Sequence, residues 1–454
     1  MNRYFKYNGN ISASACKQLN HTFLKNLWHS FCCNSSEIKI CECDTYTFTI
    51  GEVPTPVLEE NQEFSFNVSE NGVSVIGIDY NGLIRGIINL LFKIEYQKEG
   101  LKIKCCSEVG NYKLKNRMIH ICVFPENDFY FIKKLIRYIG LCQYTHVIIE
   151  FWGMLQYDCL KELAWPHAFT KEQAKELIDE ARNFGVEAVP MFNMFGHATA
   201  SRCCYGKHVV LDQNPKLQYL FTPDGWAWDI TSEETYELFK NIRAELYELF
   251  GNTEYIHIGC DEAFYYIKCD ELRNQLPNYF NRLTNDVVKE GKRPMMWMDM
   301  VLEREKYPEN FPDEFYYAFG TSNEAEKLLN SLAKETVMVD WQYDVVSSPF
   351  KSSLDLKENG MDLIVAPWFR PENFSAAIDT VADNDLFGIM LTTWHTLKNN
   401  QFRILECAHK MGVKTFHWSD FSRIEEESAA LVRRISFESG NYSDFGWSKT
   451  QIEI

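Results

Sequence analysis

The sequence predicts a (β/α)8 TIM barrel preceded by a small α+β domain. Two observations carry this. From about residue 115 onward, short apolar runs alternate with longer amphipathic segments, and eight such runs occur over about 300 residues. The runs are nearly continuously apolar, as in a parallel sheet covered on one face by helices. A third observation weighs against the other common α/β plan. An open doubly wound sheet would need a phosphate-binding glycine loop, and neither GxGxxG after a strand nor GxxxxGK[ST] occurs.

Residues 1–112 make up the α+β unit. Alternating patterns predict strands at Thr45–Ile50, Glu63–Val68 and Val73–Tyr80, the last two joined by a hairpin turn at Asn71-Gly72. Within Asn81–Glu95, Leu83, Ile84, Ile87, Ile88 and Leu91 recur at helical spacing. Residues 113–454 hold the barrel. Its strands are expected at Met118–Phe124, His146–Phe151, Glu187–Phe195, Tyr255–Gly259, Met295–Met300, Val337–Trp341, Leu363–Trp368 and Phe387–Trp394. Amphipathic helices are expected at Asp128–Leu141, Lys171–Phe184, Ser232–Phe250, Cys269–Glu290, Asn323–Lys334 and Asn373–Val381.

Charge and composition narrow the function. Lys and Arg number 46 against 63 Asp and Glu, a formal net charge of −17. That disfavours non-specific nucleic-acid binding and attraction to anionic membranes. No run of about 18 apolar residues occurs, and the N-terminus lacks the apolar core of a secretion signal. The expectation is a soluble, cytoplasmic protein. Its 15 cysteines then read as reduced thiols. Cys32, Cys33, Cys41 and Cys43 are spaced CC-x7-CxC rather than as repeated CxxC pairs, so they too are expected to be free thiols, like Cys105-Cys106 and Cys203-Cys204. His167 and His208 are isolated, and no metal or cofactor is expected. The aromatic share of 15% is high and includes 11 Trp.

In a TIM barrel the site forms at the C-terminal ends of the strands. Here strand two ends in Glu150-Phe151-Trp152, strand three in Phe192 to His197, and strand four in Gly259-Cys260-Asp261-Glu262. Strand five carries Trp297 and Asp299. Strand six ends in Trp341-Gln342-Tyr343-Asp344, strand seven in Trp368, and strand eight in Trp394-His395. Carboxylates, a histidine and several indoles thus converge on one mouth. Indole faces stack on the C–H faces of pyranose rings, so this mouth suits a sugar.

The run Tyr255-Ile256-His257-Ile258-Gly259-Cys260-Asp261-Glu262 is the most informative. Alternation turns Ile256 and Ile258 toward the helices, and His257, Gly259 and Asp261 toward the barrel interior. Gly259 leaves room there for a ligand or a neighbouring side chain. Asp261 reaches the rim pointing inward, and Glu262 follows where the strand ends. Adjacent carboxylates titrate together, so one proton is held more tightly. The expectation is that Glu262 holds it, as a general acid must.

These residues resemble glycoside hydrolase family 20, the β-N-acetylhexosaminidases, and most closely its hexosaminidase D-like branch. His257 to Glu262 (HIGCDE) resembles the family's H-x-G-x-D-E motif, and Phe195-Gly196-His197-Ala198 its P-G-H-[AS] motif. Arg117 resembles the arginine that grips sugar hydroxyls. Trp297-Met298-Asp299, Trp341 and Trp394 resemble later tryptophan positions. The resemblance implies a retaining mechanism with no enzyme nucleophile. The substrate's own acetamide oxygen would attack the anomeric carbon and form an oxazolinium ion. Asp261 would orient the acetamide, Glu262 would act as acid and then base, and Tyr343 would bond the acetamide oxygen. Trp297, Trp341 and Trp394 would wall the sugar pocket, and Trp368, from its place at the end of strand seven, is a further candidate to stack on the sugar. The implied partner is an N-acetylhexosamine glycoside or oligosaccharide, and the resemblance leaves room for a homodimer.

The sequence also departs from the family pattern. Where the larger branch has a TDDQGW-like segment whose Asp joins the strand-three His, this chain has Glu150-Phe151-Trp152-Gly153-Met154, making Glu150 a candidate partner for His197. Met118 and Cys122 stand where the family usually has Gly and Asp. Strand eight continues Trp394-His395-Thr396 rather than Trp-x-Glu. Two alternatives follow. One is a glycosidase using Asp299 or another strand-end carboxylate as nucleophile. The other is a non-catalytic sugar-binding barrel.

Overall fold

Eight parallel strands close into a barrel in sequence order: Asn116–Cys122, His146–Glu150, Glu187–Met191, Tyr255–His257, Arg293–Trp297, Val337–Asp340, Asp362–Val365 and Gly388–Thr392, the last pairing with the first. They are numbered one to eight below. The computed structural model describes residues 3–7, 11–32, 38–97, 100–198, 210–303, 306–307, 322–394, 397, 401–417 and 420–435. Cys33, Cys203, Cys204, His208, His395 and Thr396, all weighed above, lie outside those residues. Each strand ends one to four residues before its apolar pattern does. The pattern records burial, whereas pairing stops where the chain turns out of the sheet to build the mouth.

Side-chain alternation separates two cores. Met118, Ile148, Val189, Met191, Tyr255, Met295, Val337, Val339, Ile364 and Met390 fill the barrel interior. Ile119, Ile121, Val147, Ile149, Ile256, Ile258, Met296, Met338 and Leu363 face outward into a second core shared with the helices and the N-terminal domain. The expected helices are present, capped as their sequences imply. Asp128 accepts the Phe131 N–H ahead of Phe129–Leu141, and Thr170 forms a capping box with Gln173 ahead of Lys171–Asn183. The single helix expected at Cys269–Glu290 is instead two, Asp270–Arg273 and Leu276–Lys289. Pro277 lies in the first turn of the second, where its missing N–H costs no helical bond. Among the described residues, no helix is long and apolar enough to cross a membrane.

Ahead of the barrel lies a six-stranded sheet in the order Ile38–Cys43, Ile11–Cys16, Thr47–Gly51, Gly72–Gly77, Phe64–Ser69, Cys106–Gly110. A three-stranded sheet, Tyr4–Tyr7, Gly100–Lys104 and Glu95–Gln97, stands beside it. The expected hairpin is there, one residue earlier: Ser69 pairs with Gly72 around Glu70-Asn71. Helix Tyr80–Leu91 starts at Asp79, which caps the Gly82 N–H at 2.6 Å, and buries Leu83, Ile84, Ile87, Ile88 and Leu91. Cys32 is buried at the end of helix His21–Cys32, while Cys41 and Cys43 lie on the sheet's edge strand.

One buried ion cluster joins the two parts, and it corrects the reading of Arg117. This residue lies at the start of strand one, at the end of the barrel opposite the mouth, with no exposed surface. Its guanidinium forks onto Glu63 (Nη1–Oε1 2.7 Å, Nη2–Oε2 3.0 Å) and also donates to the carbonyls of Leu114 and Gln143. Arg85, on helix Tyr80–Leu91, adds a 2.6 Å bond to Glu63 and a 2.8 Å bond to the Gly185 carbonyl. Arg117 therefore clamps the N-terminal sheet to the barrel floor and does not reach the sugar mouth. The start of a barrel strand is the wrong end for binding.

Burial alone would raise the Glu63 carboxyl, but Arg117 and Arg85 outweigh it and hold it below its ordinary value of 4.5. A depressed carboxylate stabilises the fold above its unfolded pKa, and that stability is lost as pH falls through the folded value. Glu63→Gln should therefore lower unfolding stability by roughly 3 kcal/mol at neutral pH. It should also flatten the loss of melting temperature on acidification below pH 4.5. Thermal melts across that range would check it, and equal acid slopes in variant and wild type would contradict the clamp.

Candidate active site

The mouth is built around the turn that ends strand four. In an extended strand, adjacent side chains point to opposite faces. Here the chain leaves that geometry: Gly259, Cys260 and Glu262 have φ of +68°, +79° and +52°. The left-handed turn lets both Asp261 and Glu262 reach the mouth. Trp152, His197 and Trp394, at the ends of strands two, three and eight, are also left-handed, at +45°, +50° and +42°. For non-glycine residues this conformation is strained and concentrates at functional sites.

Two glycines make the turn possible. A Cβ on Gly259 would lie 1.5 Å from Asn193 Oδ1, so the space this glycine leaves is filled by a strand-three side chain rather than a ligand. A Cβ on Gly196 would lie 1.7 Å from the Asp261 carbonyl, so the strand-three loop approaches the strand-four turn backbone to backbone. That approach brings in His197, whose Nε2 lies 2.9 Å from Glu262 Oε2 and 3.5 Å from Asp261 Oδ2.

Glu262 is held on both sides of its backbone. Its N–H donates to Asp299 Oδ2 at 2.9 Å, and its carbonyl accepts from the Trp226 indole at 2.6 Å. Trp226 also packs on the His197 ring, 4.6 Å between centroids. The sequence reading missed Trp226 because it lies in the Gly225-Trp226-Ala227-Trp228 loop rather than at a strand end.

From Asp299 the contacts run round the rim. Its Oδ1 accepts from Trp341 Nε1 at 3.1 Å. Trp341 and Trp368 flank the Tyr343 ring at 5.3 and 5.4 Å. The Tyr343 oxygen accepts from Trp394 Nε1 at 2.8 Å. Trp394 packs on Trp297 and on His120, at 5.6 and 4.7 Å. His120 Nε2 lies 3.2 Å from Glu150 Oε2, and Glu150 Oε1 accepts from Asn193 at 3.0 Å. Every expected site residue except Arg117 thus belongs to one connected cluster.

Three of those residues are deeper than expected. Glu150 is fully buried beneath the mouth with His120 and Asn193, where it supports the site instead of binding sugar. Trp297 has no exposed surface either; it forms the floor, packed on His257 at 4.5 Å. Its Nε1–H has no hydrogen-bond partner among the described residues. Asp299 is 2% exposed with both oxygens taken by N–H donors, so it too is a support. Alternation along strand one (Met118, His120) could have revealed His120, and Asn193 stood in plain view at the end of strand three.

The electrostatics of the mouth act on two of its groups. Burial, then the charge of Asp261, pushes the Asp299 carboxyl well above the carboxylate range, despite the two N–H bonds it accepts. Burial likewise raises Tyr343, with the charges of Asp261 and Glu262 acting in the same direction, so its phenol stays protonated.

Comparison with known proteins now fits this geometry. The model of the glycosyl hydrolase family 20 catalytic domain matches residues 152–432. The chain is similar to a lacto-N-biosidase of Bifidobacterium bifidum, 20% identical over 286 residues, which is 59% of this chain and 25% of that protein. It is also similar to a chitooligosaccharidolytic β-N-acetylglucosaminidase of Bombyx mori, 23% identical over 200 residues, covering 39% and 34% of the two chains. The match thus spans a quarter to a third of these relatives' lengths. Among solved structures, the exo-β-N-acetylglucosaminidase of Vibrio harveyi superposes with a TM-score of 0.65 at 14% identity, over 95% of this chain and 74% of that one. The β-N-acetylhexosaminidase of Streptomyces coelicolor gives 0.65 at 14%, over 96% and 94%. At these identities the structural likeness is one of fold. The family model, spanning more than half of the chain and including the strand-four Asp-Glu turn, shows that the protein belongs to glycosyl hydrolase family 20.

Proposed function

We propose that the chain is an exo-acting, retaining β-N-acetylhexosaminidase of the hexosaminidase D-like branch, removing terminal β-linked GlcNAc or GalNAc from a glycoside or oligosaccharide. The observation that carries this is the adjacent Asp261–Glu262 pair, turned to one mouth beside His197 and ringed by indoles and a phenol. The names of the relatives, β-N-acetylglucosaminidases and a hexosaminidase, support N-acetylhexosamine as the sugar.

The chemistry follows from the groups present. A carboxylate nucleophile and an acid must flank the scissile bond about 5–5.5 Å apart. Neighbouring residues on one turn suit a different division of labour. The substrate's acetamide oxygen attacks the anomeric carbon, closing an oxazolinium ring as the C–O bond to the leaving group breaks. Glu262 gives its proton to that oxygen. Asp261 accepts from the acetamide N–H and stabilises the positive charge. Trp394 donates to the Tyr343 oxygen, so the phenol's own proton is directed elsewhere and can bond the acetamide oxygen. Glu262 then takes a proton from water, which reopens the ring at the anomeric carbon with retention. The alternative that uses Asp299 as nucleophile is disfavoured, because both its oxygens are engaged by protein N–H groups.

Purified protein should release p-nitrophenol from its β-GlcNAc and β-GalNAc glycosides, and a thiazoline mimic of the oxazoline should inhibit. Asp261→Asn and Glu262→Gln should each lower kcat about 10²- to 10⁴-fold. Intact turnover in either variant would sink the mechanism. Binding of GlcNAc by calorimetry without hydrolysis would favour the non-catalytic reading.

The pH dependence is a separate check. The leaving group must be protonated, so kcat/KM should fall on the alkaline side. A profile with no alkaline limb would remove Glu262 as the proton donor. Each step of this mechanism uses the substrate acetamide or a side chain, so EDTA should leave the rate unchanged.

A further inference from the structure

We propose that Asp299 is a positioning residue that ties the Glu262 backbone and the Trp341 indole into one unit, so that one carboxyl sets both the proton donor and a wall of the sugar pocket. The inference rests on the activity proposed above. Asp299 opens the 3-10 turn Asp299–Val301 that follows strand five. From there its two oxygens reach in opposite directions, Oδ2 to the Glu262 N–H at 2.9 Å and Oδ1 to Trp341 Nε1–H at 3.1 Å. It bridges the ends of strands four, five and six while only 2% exposed.

Two features make this more than a buried polar contact. Glu262 is a non-glycine residue at φ +52°, a conformation that persists only where the surroundings impose it. The Asp299 bond fixes the N–H side of that residue and the Trp226 bond fixes the carbonyl side. Without the first, the peptide relaxes and the carboxyl of Glu262 swings away from the position His197 marks. The second feature is the use of both oxygens. Two N–H donors need two acceptors, which a carboxyl has and a carboxamide does not. A sugar stacked on Trp341 immobilises its indole, and through Asp299 it immobilises the backbone of the acid. Binding energy from the sugar face is thereby spent on aligning the proton donor, which raises kcat instead of lowering KM.

The test compares Asp299→Asn, Trp341→Phe and the double variant with wild type, on an aryl β-GlcNAc glycoside. Asp299→Asn keeps shape but offers one acceptor to two donors. Its kcat should fall about 10- to 100-fold, with KM within about threefold. Trp341→Phe, which keeps an aromatic face but loses the N–H, should lower kcat in the same direction. The two losses should combine to less than their product, because both cut the same unit. A raised KM with unchanged kcat would mean that Asp299 touches the sugar directly, and would overturn the proposal. So would a lowered melting temperature with wild-type kcat per folded molecule. A second measurement needs no turnover. In protein labelled with ¹⁵N-tryptophan, the indole signal lost in Trp341→Phe is that of Trp341, and it should shift in Asp299→Asn. An unmoved signal refutes the unit even where the wild type hydrolyses nothing, whereas inactivity of the wild type refutes only the activity.

Discussion

Everything chemical in this protein hangs on a backbone turned the wrong way at the end of strand four. Side chains that alternate cannot both face one sugar, and the catalytic proposal needs Asp261 and Glu262 to do so. The chain resolves this with left-handed φ at Gly259, Cys260 and Glu262. Each non-glycine residue in that region costs on the order of 1–3 kcal/mol. The turn survives because neighbours from several strands impose it. Asn193 fits the space beside Gly259, Gly196 lets the strand-three loop close on Asp261, and Trp226 and Asp299 hold the two sides of Glu262. The closed barrel makes this affordable, since its interior and its helix-covered face are both packed with apolar side chains.

The same packing decides where charge can reside. Asp261, Glu262 and Asp299 crowd one mouth, and full ionisation of all three would set like charges against each other in a poorly solvated place. Asp299 is the most buried of the three, and its carboxyl is pushed upward. In linkage terms an upward-shifted acid favours the fold at low pH and penalises it as pH rises through the shifted value. The penalty is the cost of a buried carboxyl set beside two others.

Much of this was legible in the sequence. Parallel strands buried on both faces announce themselves as apolar runs, and all eight barrel strands were found. The Asp-Glu pair was visible because it directly follows such a run. What the sequence hid was of three kinds. Edge strands such as Ile38–Cys43 alternate weakly, since much of the strand is exposed. Helix Lys351–Glu358 is short and polar, and is anchored through Ser352 and Ser353, which donate to buried Asp340, so it lacks an apolar stripe. Finally, pattern does not tell depth. Trp297, Glu150 and Asp299 stand at strand ends, where a barrel's ligand contacts are expected, yet all three lie beneath the mouth. Only the side chains packed over them show which are walls and which are foundations.

Arg117 and Asp299 show how far position outweighs residue type. Both belong to buried clusters of charged side chains, one at each end of the same barrel. At the floor, Glu63 faces two guanidiniums and is drawn below its ordinary range; at the mouth, Asp299 faces two carboxyls and is driven above it. The first arrangement gains from ionisation and therefore serves cohesion, joining sheet to barrel. The second resists ionisation and holds the backbone of Glu262, the proton donor of the proposed reaction. In a barrel, the N-terminal face carries stability and the C-terminal face carries chemistry. The sign of the neighbours' charge is the physical form that division takes here, and it explains why an arginine that looked like a sugar ligand is a structural tie.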